Sequence, residues 1–86
     1  MQVNLRANVL PMVRLTELAK GQGGIIEKID DSLAAVQLME MGFIVGKPVV
    51  LEHVAPLGDP IAVRIAGYVL SIRKEDAATI WVSPGR

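Results

Sequence analysis

The spacing of apolar positions changes along the chain. Ile25-Ile26-Glu27-Lys28-Ile29 is rich in β-branched residues and predicts a first strand. From Leu33 to Met41 there is neither Gly nor Pro, and most residues are strong helix formers. At about 100° per residue, Ala34, Ala35, Leu38, Met39 and Met41 share one broad side, with Gln37 and Glu40 opposite. Beyond Gly46 the period falls to two. Lys47-Pro48 leads into a strand through Val49–Val54. Ile61, Val63 and Ile65 then alternate with Ala62, Arg64 and Ala66. Tyr68, Leu70 and Ile72 alternate with Val69, Ser71 and Arg73, and Thr79–Val82 reads as a last short strand.

Punctuation falls between these runs. Asp30-Asp31-Ser32 offers side-chain acceptors for an N-cap. Gly42 stands where a left-handed residue ends the helix, with Phe43 placed to pack back on the last turn. Pro56-Leu57-Gly58-Asp59-Pro60 is a turn cluster, and Gly67 marks a tight hairpin. Arg14–Lys20 predicts about two helical turns broken by Gly21-Gln22-Gly23-Gly24, and Lys74–Ala78 allows one turn more. Residues 1–13 keep neither period and are interrupted by Pro11. They read as an N-terminal extension to a domain at 14–86, closed by Ser83-Pro84-Gly85-Arg86. Five strands and one or two short helices predict an all-β fold, a small closed or nearly closed barrel. An open α+β sheet with the helix on one face is the alternative.

Composition narrows the function. With 86 residues the chain has room for one domain, and without cysteine it has no disulfide or thiolate metal site. Aromatics make up only 3% of residues while hydrophobics reach 51%, so the core must be aliphatic. The formal net charge of +0 and the scarcity of aromatics argue against nucleic acid as a partner. No apolar run is long enough to enter a membrane directly. The first residues lack a signal-peptide core, which predicts a cytoplasmic setting.

The candidate chemistry is thin. His53 is the one histidine, and in a regular strand its neighbour Glu52 faces the other way, so the pair should not chelate from one surface. Asp30 and Asp31 are accounted for by capping. No resident metal or cofactor is expected, although exposed carboxylates and the histidine can gather transition metal ions weakly. Ser32, Ser71 and Ser83 have one histidine to share and no Gly-x-Ser-x-Gly elbow. There is no phosphate-binding loop, and the Gly-rich stretch at 21–24 precedes a strand rather than a helix. The chain is read as a binding module, not an enzyme.

Binding then rests on surface shape. Seven of the nine residues from Leu33 to Met41 are apolar, more than one buried face requires. Leu38 and Met41 are assigned to plugging an open end of the barrel. Leu33, Val36 and Met39, beside Phe43, are assigned to an adaptable partner groove, to which methionine is suited. Trp81 alternates away from Ile80 and Val82, either as an interface anchor or beneath the extension. Arg64 and Arg73 are placed opposite each other across the Gly67 hairpin, where they would repel. Gly42, Gly46, Gly58, Asp59, Pro60 and Gly67 are read as structural. Self-association is left open.

Taken in order, these residues resemble the FeoA family. Leu38-Met39-Glu40-Met41-Gly42-Phe43 followed by Gly46 is similar to its signature. Ala55–Pro60 resembles the turn between its two central strands. Gly67–Arg73, Ala77 and Ile80-Trp81-Val82 resemble its closing section. The helix lacks the arginine usual just before that leucine, so no role of that arginine is carried over. The resemblance implies an SH3-like barrel acting beside FeoB, a membrane ferrous iron transporter with a cytosolic GTP-binding domain. It implies a regulatory or accessory protein of iron uptake and ion transport, working by protein contact. A small barrel that binds nucleic acid, or one serving a metal-responsive regulator, is the rival.

Overall fold

The structure is a computed structural model that describes residues 11–85. Val13–Arg14 (β1) is followed by a 3-10 turn at Leu15–Glu17 and by Gly23–Ile29 (β2). The helix Ala35–Glu40 (α1) precedes Pro48–Val54 (β3), Ile61–Ile65 (β4) and Tyr68–Ile72 (β5). A short helix Lys74–Ala77 (α2) leads into Ile80–Pro84 (β6). All strand pairs are antiparallel, in the order β1-β6-β2-β3-β4-β5. The fold is a small all-β SH3-like barrel with two short helices.

Alternation decides the core. Ile61, Val63 and Ile65 of β4 lie opposite Ile72, Leu70 and Tyr68 of β5, joined through Ala66-Gly67 with φ of 53° and 89°. Two successive residues at positive φ match the right-handed twist of a two-residue hairpin. Val49, Leu51, Val63, Ile26, Ile80 and Val82 meet inside, and Phe43 and Leu38 close the barrel beneath α1. Each such side chain, wholly buried, contributes about 1.5–3 kcal/mol of burial free energy. No polar or charged residue is buried among the described residues, so no desolvated side-chain charge subtracts from that term.

Local interactions differ from the sequence reading in five places. The chain pairs from Val13, which lies opposite Val82, so one residue assigned to the extension belongs to β1; residues 1–10 lie outside the described residues. Only Leu15–Glu17 is helical within 14–20, because Leu15 and Leu18 both turn into the core. The main helix begins at Ala35 and no side chain caps it. Asp30, expected at that cap, instead accepts a hydrogen bond from Trp81 Nε1 at 3.0 Å. Ser83 and Pro84 extend β6 rather than ending the domain, pairing with Ile25 and Gly24. The hairpin register sets Arg64 opposite Val69, not Arg73, and Arg64 reaches across to Glu52 Oε2 at 2.7 Å.

Two strands carry a bulge. In β3, Leu51 pairs with Val63 but His53 pairs with Ala62, leaving Glu52 as the extra residue. In β2, Ile26 pairs with Val82 and Lys28 with Trp81, leaving Glu27 extra. Glu27 uses its position to accept a hydrogen bond from Ser83 Oγ at 2.7 Å.

Candidate protein-docking surface

The helix α1 is too short to persist alone, and packing along one side holds it to the barrel. Leu38 is buried, while Ala34 and Met41 are half-buried against the core. Gly42 ends the helix at φ 111°, its N–H donating to the Met39 carbonyl at 3.0 Å. A Cβ at Gly42 would lie 3.2 Å from the Ala66 Cβ, so the helix end also meets the β4–β5 hairpin closely. Phe43 N–H returns to the Leu38 carbonyl at 3.0 Å, which carries its ring inward.

That geometry separates the residues assigned to the partner groove. Leu33 is fully exposed, Val36 is 63% exposed and Met39 is 45% exposed, forming an outward stripe. Phe43 does not join them. Its side chain is wholly buried, because the chain reversal at Gly42 turns it into the core, and it cannot touch a partner directly. Ile44 and Val45, which the pattern reading passed over, are both exposed just beyond. Two β-branched residues between Gly42 and Gly46, in no strand, were the available signal. Ile44 also borders an open apolar groove of about 330 Å³ with Gly42, Lys47, Pro48 and Ala66.

Trp81 stands apart from this stripe and is half-buried. The Arg14 guanidinium lies 4.3 Å from the ring centroid and Lys28 Nζ lies 5.9 Å away. Asp30 holds the indole N–H and sits 3.8 Å from both cations. The indole assigned to the partner surface is therefore partly covered from within, its one donor already used.

The structural assignments find specific neighbours. Asp59 Oδ1 accepts from the Lys74 N–H at 2.9 Å, tying the turn before β4 to the start of α2. Beside it, Pro60 accepts from the Ala55 N–H at 3.0 Å, and Gly46, Gly58 and Gly67 all have positive φ.

The bulge at Glu52 changes the histidine reading. Glu52 and His53 both lie on the outer face, the first beside Arg64 and the second opposite Ala62, rather than on opposite sides as regular alternation predicts. Glu52 is taken by Arg64, and no group of three His, Cys, Asp or Glu side chains able to hold a metal occurs among the described residues. None of the helices among the described residues is long and apolar enough to cross a membrane.

Comparison with known proteins gives the surface a context. The family model described as the FeoA domain matches residues 13–84. A "Fe(2+) transport protein A/Fe(2+) transporter FeoB fusion protein" of Porphyromonas gingivalis is 39% identical over 71 residues. The match takes in 81% of this chain but only 8% of the fusion protein's length. The solution structure of a FeoA-like protein from Clostridium acetobutylicum is 35% identical, with a TM-score of 0.78 over 88% of this chain and 90% of its own. The crystal structure of Stenotrophomonas maltophilia FeoA complexed with zinc is 26% identical, with a TM-score of 0.73 over 84% of this chain and 94% of its own. It is described as a prokaryotic SH3 domain protein and a candidate ferrous iron transport activating factor.

Proposed function

The chain belongs to the FeoA family, and on that footing we propose that it is a cytosolic accessory protein of a FeoB-type ferrous iron transporter, acting by protein contact. One observation carries this reading. In the Porphyromonas relative the matching segment and a FeoB transporter share a polypeptide, which fixes the two at high effective concentration. A contact surface on the domain would hold it against the transporter. The stripe of Leu33, Val36 and Met39, extended by Ile44 and Val45, is the apolar surface suited to it.

The work assigned to the chain is recognition rather than turnover. The exposed stripe is apolar, and no buried ionisable group stands ready for proton transfer among the described residues. The test is a pull-down of the purified chain with the cytosolic domain of the transporter from the same organism, with and without guanine nucleotide. Binding by the unmodified chain and its loss in Met39→Glu is the expected pattern. Failure of the unmodified chain to bind in either nucleotide condition overturns direct contact.

A further inference from the structure

The charges around the exposed stripe are one-sided. From Ile29 to Gly46 the chain carries Asp30, Asp31 and Glu40 and no lysine or arginine. Asp30 is engaged by Arg14 and Lys28, but Asp31 and Glu40 are exposed and have no ion-pair partner among the described residues. Within α1, Glu40 follows Val36 by four positions, on the same outward side, and Leu33 is exposed in the turn just before the helix. Two cations share grooves with the helix or the loop after it, at the margins of the stripe. Arg73 lines a small groove on the barrel side with Gln37 and Met41 and is already paired with Glu75 and Asp76. Lys47 lies beyond the loop, in the groove with Ile44.

Resting on the reading that this surface docks a protein, we infer that its occupant is a cationic amphipathic segment of the partner: apolar residues seated on Leu33, Val36 and Met39, flanked by lysine or arginine facing Asp31 and Glu40. Complementary charge selects such a segment and discourages others. A second copy of this chain is disfavoured, because a two-fold contact through this face would set like carboxylates together. An anionic membrane surface meets the same repulsion.

Two measurements on the whole chain test this. The first uses the transporter's cytosolic domain, with binding followed at low and moderate salt. Asp31→Asn combined with Glu40→Gln should weaken binding about fivefold at low salt and flatten its salt dependence. Val36→Ser should weaken it without flattening. Equal affinity and equal salt dependence in the neutralised variant would overturn the inference while leaving transporter binding intact. The second needs no transporter: a designed Leu/Lys amphipathic helix is compared with its Leu/Glu counterpart. The Leu/Lys peptide should bind, and Val36→Ser and the neutralised variant should each weaken that binding severalfold. Equal binding of the two peptides would overturn the inference. So would sedimentation showing a dimer that Val36→Ser dissolves, or binding to anionic vesicles through the same residues. Absence of transporter binding alongside selective Leu/Lys binding would remove FeoB as the partner and keep the charge preference.

Discussion

Arg14 lies over the indole of Trp81, Cζ to ring centroid 4.3 Å, while its Nη1 donates to the Ala78 carbonyl at 2.7 Å. The two residues are directly paired across β1 and β6, so one side chain joins the first strand to the last and to the end of α2. Arg14→Ala should lower the free energy of unfolding by about 1 kcal/mol, through lost stacking and one lost hydrogen bond. Urea denaturation followed by the single tryptophan checks this, since the probe sits under the group removed. A loss no larger than that of an exposed lysine-to-alanine change would show the contact to be incidental.

Gly42→Val should destabilise the domain by more than 1 kcal/mol, because two costs coincide. A β-branched residue resists φ of 111°, and its Cβ would press on Ala66 at 3.2 Å. Thermal unfolding reads the effect. An unchanged midpoint would mean that the helix end is free to relax away from the hairpin.

Gly24 presents a different constraint, one of space. A Cβ there would lie 2.6 Å from the Ser83 carbonyl oxygen and 3.2 Å from the Pro84 Cα, both backbone atoms of β6. No side chain can rotate aside to admit it. Gly24→Ala should therefore cost about 1–3 kcal/mol as β2 and β6 separate locally. Faster amide hydrogen exchange along Ile25 and Ile26 than in the parent protein would be the accompanying sign.

Arg64 and Glu52 form the shortest ion pair among the described residues, yet their side chains are 53% and 34% exposed. Solvent screens such a pair, and a double-mutant cycle over Arg64→Ala and Glu52→Ala should give a coupling of about 1 kcal/mol or less. A markedly larger coupling would assign the pair a role in holding the bulge.

The β4–β5 hairpin was legible from period-two alternation broken at Gly67, but its register was not, since the turn takes both Ala66 and Gly67 and sets Arg64 opposite Val69 rather than Arg73. The helix end was legible from Gly42 and Phe43 together. Its start was not, because Asp30 is claimed by Trp81, 51 residues away, and no local pattern reports a rival that distant. The same limit hid the β1–β6 pairing. On the candidate docking surface, the excess of apolar residues from Leu33 to Met41 marked Leu33, Val36 and Met39, whereas helical spacing grouped Met39 with the buried side although it is exposed, because exposure depends on which side the barrel occupies. Phe43 was misplaced because adjacency to an exposed stripe says nothing of direction once the chain has reversed.

The surplus residue in β3 sets parity. Counting by twos from Val49 and Leu51 would send the imidazole of position 53 inward, whereas the inserted Glu52 keeps it on the wet side opposite Ala62. Pairing the same residues one to one, without the bulge, would exchange the inside and outside of everything between that point and the Pro56 turn, bringing a titratable ring toward an otherwise apolar interior. The bulge at this spot is thus as much a part of the specification as residue identity.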